Sequence, residues 1–525
     1  MSNKFIVIGL DGATFEFMGP WLDDGKLPNL QHIKEKGYSG IMESTIPFHS
    51  APAWTSMITG VNPGRHGIFD FFYRKERQVN TISSRMRKAY PIWHVLDGYN
   101  KRSAILNIPC TYPAERLNGK MITGMLTPSK DSDYTYPEGL KNELKDYKLS
   151  SWWQVLPFLI YSKAGSNKLI KLTREIIEER FAVLKKYFKE DRCDLGFLVI
   201  QILDHLQHYM WDKKDVILEA YKKVDEEIGI LMKEYPEVNF IIVSDHGFRG
   251  AKKCFYINNF LYNRGYMELS KTDFITSIVF HSILKKTAVC CFRIISKLID
   301  LNAFIRNNFI RNVLDKIADS ALSPPQNAKA YCYSGSSCGV TLFDKRIKDK
   351  LLKQLRELED PETGEKVIKD VYEREHIFNG KYTDQAADII YIVNKDYTMS
   401  NEIYNPEGNI KKLFSSDKRI CELYESKGSG HLGEHARNGI FMACGPAIKN
   451  GTAEKVSIYD IFPSLIYGLG LGRVQNCDGS VMDIFGTQLK EDNIDIPEKK
   501  TEDAAESFKE DQKEVMKRLS DLGYL

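Results

Sequence analysis

A carboxylate and an imidazole, Asp245 and His246, stand side by side where an apolar run ends. Residues 240–243 are apolar and mostly β-branched, which is typical of a buried parallel strand. Ligands of open α/β sheets bind beyond the carboxyl ends of such strands. Aspartate oxygen and histidine nitrogen are both zinc ligands. Taken alone, however, the pair is better explained as a strand end whose aspartate caps the next turn.

Matching residues occur next to other apolar segments of the chain. Asp204 and His208 follow the run that ends at Leu203, and their spacing of four places both on one face of a helix. Three carboxylates and three imidazoles delivered to one sheet edge suffice for two divalent metal ions. The candidate ligands are Asp11, Asp204, His208, Asp245, His246 and His435.

A candidate nucleophile, Ser50, lies in a turn-rich stretch before a helix predicted to start near Pro52. Backbone amides at a helix start favour an anion, and a metal-bound serine hydroxyl there can attack phosphorus. Serine is also one of the commonest N-cap residues. From this segment alone, the N-cap is the preferred interpretation of Ser50.

The segments that carry these residues alternate between predicted strands and helices. The order strand, helix, strand, with a carboxylate after each strand, predicts a doubly wound, mostly parallel α/β sheet with helices on both faces. The predicted strands include 5–10, 194–203 and 240–243, and the predicted helices include 175–190 and 214–234.

We divide the chain into four parts. Residues 1–265 and 326–490 are predicted to form the catalytic α/β core, and 266–325 a helical insertion that acts as a cap or lid. Residues 491–525 read as a charged, solvated tail. The stretch 269–323 is apolar and basic, and such helices can lie on a membrane surface. Membrane-surface contact is nevertheless the less favoured alternative.

Composition narrows the classes of function. The 73 basic and 70 acidic residues leave a formal charge of +3, so no nucleic-acid polymer is expected as a partner. Ten cysteines without a CxxC pair argue against a zinc ribbon and fit reduced thiols. Neither a signal peptide nor a long uninterrupted apolar run is evident. A cytoplasmic location is therefore expected.

The order and spacing of these motifs resemble the alkaline phosphatase superfamily, and most closely its type I phosphodiesterase/nucleotide pyrophosphatase branch. The similar segments are 9–12, 50–68, 204–208, 244–247 and His435 before Gly439. The resemblance implies an alkaline-phosphatase-like fold.

The resemblance also implies a division of the ligands between two ions. One metal is implied on Asp204, His208 and His435, and a second on Asp11, Asp245 and His246, with Ser50 as the nucleophile shared with the second metal. His431 is the alternative to His435 as the last ligand. Zinc is the expected metal and manganese the alternative.

Several positions depart from the family pattern. Relatives usually carry threonine in place of Ser50, asparagine in place of Ala53, and an asparagine that holds a phosphoryl oxygen in place of Phe71. Trp54 replaces the arginine of the sulfatase signature, so the sequence does not support a sulfatase function. The Trp54 side chain is expected either to offer a base-stacking surface or to lie in the core.

The implied function is a metal-dependent phosphoesterase acting on a phosphodiester or a nucleotide pyrophosphate through a phospho-Ser50 intermediate. The substrate would be a phosphorylated small molecule such as a nucleotide or nucleotide-sugar. One alternative is a phosphomutase or phosphonate hydrolase of the same superfamily. Another is a catalytically impaired metal-binding scaffold.

Overall fold

The computed structural model of the protein describes most of the chain. The described ranges are 3–75, 77–149, 165–269, 324–335, 337–403, 423–425, 433–487, 489–499 and residue 515. Most of the predicted insertion, 270–323, lies outside these ranges, as do His431 and most of the predicted tail.

Strands and α-helices are numbered in chain order. The strands are β1 (Phe5–Leu10), β2 (Tyr38–Glu43), β3 (Phe72–Lys75), β4 (Gln78–Thr81), β5 (Ser103–Leu106), β6 (Gly119–Ile122), β7 (Thr135–Tyr136), β8 (Leu195–Ile200), β9 (Asn239–Val243), β10 (Gly247–Gly250), β11 (Lys253–Tyr256), β12 (Ala330–Tyr331), β13 (Gly339–Leu342), β14 (Ile368–Glu373), β15 (Ile389–Val393), β16 (Tyr397–Ser400), β17 (Leu423–Glu425), β18 (Gly433–Ala436), β19 (Asn438–Cys444), β20 (Gly451–Ser457), β21 (Arg473–Val474) and β22 (Asn493–Ile494). The helices are α1 (Phe15–Asp23), α2 (Pro28–Lys36), α3 (Ser50–Thr59), α4 (Pro63–His66), α5 (Ile92–Gly98), α6 (Gly165–Glu190), α7 (Ile202–Met210), α8 (Lys214–Glu234), α9 (Ile257–Asn263), α10 (Lys348–Arg356) and α11 (Ile461–Gly468).

Nine strands of the described ranges form the central sheet, in the order β20-β2-β19-β9-β1-β8-β5-β6-β7. Neighbouring strands pair in parallel except at both edges of β19 and between β6 and β7. Strand β1 lies between β8 and β9, with Phe5 opposite both Leu195 and Asn239. Because these three strands run in the same direction, their carboxyl ends meet at one edge of the sheet. The predicted doubly wound, mostly parallel sheet is confirmed.

Helices cover both faces of the sheet, as the sequence predicted. Side chains alternate across a strand, and in β1 Ile6, Ile8 and Leu10 enter one core while Phe5 and Val7 enter the other. Helices α1, α2, α6, α7 and α8 pack on the first core. Helices α3, α5 and α11 pack on the second core. The central sheet is therefore held between two layers of buried apolar packing.

A second, smaller body is built from part of the segment that was predicted to complete the core. Strands β12, β13, β15 and β14 form an antiparallel sheet beside the three-stranded sheet β16-β11-β17. Val340, Ile389 and Tyr391 are buried there with apolar residues of α9 and α10. Among the strands described within 326–490, only β19 and β20 join the central sheet. Local periodicity identifies a strand but does not say which sheet it joins, so the sequence missed this division.

The beginning of the predicted tail is attached to the fold. Strand β22 pairs in parallel with β21, and the amide of Ile496 donates to Asn476. Ile494 and Ile496 pack against the second core because they alternate with polar residues along an extended segment. Residues 491–499 thus differ from the solvated tail expected from their charge.

The helices in the described part of the chain are each too short or too polar to cross a bilayer.

Candidate metal centre and nucleophile

The topology places the predicted ligands at one edge of the central sheet. Asp11 directly follows β1, and Asp245 and His246 follow β9 after one intervening residue, Ser244. Strand β8 ends at Ile200, earlier than predicted, so that Asp204 and His208 lie one turn apart within α7. His435 lies in β18, opposite Phe248 of β10. The structure brings these six residues together with Ser50, whereas His431 lies outside the described residues.

Three ligand atoms form one compact triangle. The distances are 3.6 Å between Asp204 Oδ1 and His208 Nε2, 3.1 Å between Asp204 Oδ1 and His435 Nε2, and 3.0 Å between the two Nε2 atoms. A tetrahedral zinc ion with bonds of 2.0–2.1 Å separates its ligand atoms by about 3.3 Å. The triangle therefore has the dimensions of one face of a zinc site.

A second group surrounds the Ser50 hydroxyl. Ser50 Oγ lies 3.2 Å from His246 Nε2 and 3.5 Å from Asp11 Oδ1. His246 Nε2 lies 3.7 Å from Asp11 Oδ1 and 3.2 Å from Asp245 Oδ2. These separations also fit a tetrahedral set, with the serine oxygen at one corner.

The two groups adjoin one another through stacked imidazoles. The rings of His246 and His435 lie with their centroids 3.8 Å apart and their planes inclined by 29°. His246 is close to both groups. Its ligand atom also lies within 4.8 Å of the ligand atoms of Asp204 and His435. Two ions at these positions would be neighbours, as in two-metal sites for phosphoryl transfer.

Backbone carbonyls orient two of the imidazoles. Nδ1 of His208 lies 3.0 Å from the carbonyl oxygen of Gly433, and Nδ1 of His246 lies 3.1 Å from that of Gly247. A carbonyl only accepts, so Nδ1 carries the hydrogen and Nε2 is the atom that faces the carboxylates. Histidine ligands of metals are held in this way.

The centre concentrates negative charge in a buried space. Asp11, Asp204 and Asp245 are each at most 2% exposed. Burial, together with the charges of Asp245 and Asp204, raises the pKa of Asp11 well above its usual range. Burial also raises the pKa of Asp245. Among the described residues, Asp245 Oδ2 accepts no hydrogen bond, and His246 Nε2 lies 3.2 Å from that oxygen. A buried carboxylate pair of this kind is stabilised by a bound cation.

The group around Asp204 and the group around Ser50 differ in the pKa shifts of their residues. Although burial raises the pKa of Asp204, the imidazoles of His208 and His435 bring it well below its usual range. Burial lowers the pKa of His246 to about 4, despite the nearby charge of Asp245. A neutral His246 keeps the lone pair that a metal ligand requires.

Ser50 is the first residue of α3, and its predicted role as the N-cap is wrong. The cap is His49, whose Nδ1 accepts a hydrogen bond from the Ala51 amide at 3.3 Å. Helix α3 begins two residues before Pro52, near which the sequence predicted its start. Since the imidazole takes the capping role, the Ser50 hydroxyl points to His246 and Asp11 instead.

His49, which the sequence did not single out, borders the centre, and Asp70 adjoins His49. His49 Nε2 lies 3.9 Å from Asp70 Oδ1. Burial, reinforced by the imidazoles of His435 and His246, lowers the pKa of His49 well below its usual range. Burial raises the pKa of Asp70 to about 7, against the hydrogen bond from Ser334. The one sequence feature that could have identified His49 is that it directly precedes the candidate nucleophile.

Two aromatic residues that the sequence analysis discussed, Phe71 and Trp54, are buried. Phe71 packs edge-on against His49, with ring centroids 4.6 Å apart, and its side chain has no hydrogen-bond donor. Trp54 is fully buried in the second core. A base-stacking surface at Trp54 is therefore wrong, and the core alternative is confirmed.

The sequence and the fold both match known proteins. Residues 5–428 match the family described as type I phosphodiesterase / nucleotide pyrophosphatase. Ectonucleotide pyrophosphatase/phosphodiesterase family member 1 of Homo sapiens is 22% identical over 269 residues, which cover 49% of this chain and 25% of that protein. The chain thus spans about a quarter of the length of this curated relative.

Two solved structures illustrate the likeness of the fold. Phosphonoacetate hydrolase from Sinorhizobium meliloti 1021, in complex with phosphonoformate, is 14% identical with a TM-score of 0.55, covering 89% of this chain and 95% of that one. An inactive murine ectonucleotide pyrophosphatase / phosphodiesterase 5, in complex with AMP, is 15% identical with a TM-score of 0.52, covering 92% and 100%.

These neighbours place the fold in the alkaline-phosphatase-like class. Within that class, the chain belongs to the type I phosphodiesterase/nucleotide pyrophosphatase family of phosphoric ester hydrolases.

Proposed function

We propose that this chain is a two-metal phosphoesterase that cleaves a phosphodiester or nucleotide pyrophosphate bond through a phospho-Ser50 intermediate. The observation that carries the proposal is the position of the Ser50 hydroxyl, 3.2 Å from His246 Nε2 and 3.5 Å from Asp11 Oδ1. A hydroxyl that served only to stabilise the helix would not need to lie among buried metal-ligating groups.

The proposed reaction has two displacement steps at phosphorus. Divalent cations held by the two groups would lower the pKa of the Ser50 hydroxyl and neutralise charge on the phosphoryl group. Ser50 Oγ bonds to phosphorus, the leaving oxygen departs with its bonding electron pair, and the hydroxyl proton passes to solvent. A water oxygen then bonds to phosphorus, and Ser50 departs with the electron pair and recovers a proton. The amides at the start of α3 favour the negative phosphoryl group beside Ser50.

The residues fit zinc better than a harder cation. Asp204, His208 and His435 offer two nitrogens and one oxygen in a triangle of zinc dimensions. Asp11, Asp245 and His246 offer two oxygens and one nitrogen, a set that manganese binds as readily as zinc does. Zinc is therefore the proposed metal and manganese the alternative.

The proposed substrate is a phosphorylated small molecule, with a nucleotide or nucleotide-sugar as the leading candidate. Its support is family membership and the AMP bound by the murine neighbour. A phosphonate hydrolase is the second candidate, favoured by the likeness to phosphonoacetate hydrolase. The impaired scaffold is less well supported, because the seven candidate residues lie together.

One assay separates these candidates. Turnover of bis-p-nitrophenyl phosphate, p-nitrophenyl phosphate and phosphonoacetate is compared with and without chelator, followed by readdition of zinc or manganese. The proposed function predicts metal-dependent cleavage with the diester preferred. Preference for phosphonoacetate supports the second candidate, and absence of turnover with every substrate after metal loading supports the scaffold.

Three further expectations stay predictions. A cytoplasmic location and the absence of a nucleic-acid polymer partner rest on composition. Membrane-surface contact through 269–323 is a prediction about residues that lie, except for 269, outside the described ranges.

A further inference from the structure

Helix α3 contacts Asp11 through two side chains. Ser50 and Trp54 are four residues apart and share one face of the helix. Trp54 Nε1 donates a hydrogen bond of 3.1 Å to Asp11 Oδ2. Ser50 Oγ lies near the other carboxylate oxygen, Oδ1, at 3.5 Å. The two oxygens of Asp11 thus face two different residues of the same helix.

The different partners of the two Asp11 oxygens affect how this carboxylate can bind a metal. The indole nitrogen can only donate, so it occupies Oδ2 with a hydrogen bond in a buried place. Oδ1 is left facing Ser50 Oγ and His246 Nε2. A carboxylate held in this way binds a metal through one oxygen. The hydrogen bond also prevents the carboxylate group from rotating.

The strand beneath Trp54 is shaped to admit the indole. A Cβ atom added at Gly9, two residues before Asp11, would collide with the Trp54 ring. Glycine weakens the interior of a strand and is typical of a place where another group approaches closely. The close approach of Trp54 to β1 therefore depends on Gly9.

We propose that Trp54 is a positioning residue that fixes Asp11 as a one-oxygen ligand of the second metal and ties that ligand to the helix that presents Ser50. The inference rests on the metal centre of the proposed function. Because the inference concerns metal affinity, zinc binding tests it without any measurement of turnover.

The test replaces the indole N–H alone. Trp54 is substituted by β-(3-benzothienyl)alanine, an isostere with sulfur in place of N–H, and separately by phenylalanine. The matched control is Trp93→Phe, because Trp93 is equally buried in the same core. Zinc binding to each metal-free protein is titrated calorimetrically, also in a His208→Ala background in which the second site is isolated.

Both Trp54 variants should bind the second ion about 10- to 100-fold more weakly, as expected when a group that orients a ligand is lost. Trp93→Phe should lower the melting temperature and leave both affinities unchanged. If the isostere binds two ions as tightly as the wild type, this inference is overturned and the proposed function stands. If the wild type takes up no zinc or manganese, both are overturned.

Discussion

The Nε2 atoms of His208 and His435 lie 3.0 Å apart, and both face Asp204 Oδ1. His208 comes from α7 and His435 from β18, elements separated by more than 200 residues of chain. Two imidazole nitrogens at this distance, with Nδ1 of His208 bound to a carbonyl, form a pair that a cation between them would stabilise.

The first prediction concerns metal content. The purified protein should carry about two divalent ions per chain, and His208→Ala should lose one of them because a ligand of the nitrogen-rich group is removed. The control is His32→Gln, since His32 is exposed on α2. Metal content is measured by plasma mass spectrometry. Equal content in the wild type and His208→Ala would contradict the ligand assignment.

The second prediction concerns the nucleophile. Ser50→Ala should keep the fold and both ions, because the helix is capped by His49 and the lost hydrogen bond contributes only about 1 kcal/mol. Its turnover of a diester should fall by several orders of magnitude, since the covalent route is gone. Ser50→Thr should keep part of the activity because it supplies the same hydroxyl. Normal turnover by Ser50→Ala would rule out the phosphoserine.

The third prediction distinguishes two displacements from one. A chiral phosphorothioate diester should be hydrolysed with retention of configuration at phosphorus, because each of the two displacements inverts it. Direct attack by water would give net inversion. The product configuration is read by ³¹P NMR after hydrolysis in isotopically labelled water, and inversion would refute the role of Ser50.

The fourth prediction concerns Asp70 and pH. Burial raises the pKa of Asp70 from 3.8 to about 7, so the folded state favours the protonated carboxyl. This contribution to stability is complete below about pH 4 and is lost as pH rises to about 7. Asp70→Asn remains neutral, so its free energy of unfolding relative to the wild type should rise by a few kcal/mol across that window. Denaturant titrations at several pH values measure the difference, and a constant difference would contradict the shift.

The fifth prediction concerns the predicted insertion. The chain enters and leaves it at neighbouring points, since Asn327 Nδ2 donates to Glu268 Oε2 at 2.9 Å and the Lys329 amide donates to the Tyr266 carbonyl. Replacement of 270–323 by a short Gly-Ser linker should therefore leave a folded, metal-loaded protein. Circular dichroism and metal analysis test this. Cosedimentation with anionic liposomes by the full chain but not by the shortened one would support membrane contact.

The sequence by itself determined the central strands and most of the residues that meet at their ends. The apolar runs before Asp11 and Asp245 are long enough to identify buried parallel strands, and the direction of parallel strands brings their carboxyl ends together. The spacing of Asp204 and His208 fixed their common helical face. These features depend on neighbours along the chain, so local periodicity is sufficient to predict them.

Only the tertiary structure decided the contacts that complete the centre. Trp54 reaches Asp11 across 43 residues, and Asp70 approaches His49 because a loop folds back onto the start of α3. The same applies to the division of the later strands between two sheets. Each of these outcomes depends on which distant surfaces pack together, and packing depends on side-chain shape in three dimensions, which a pattern along one strand or helix does not contain.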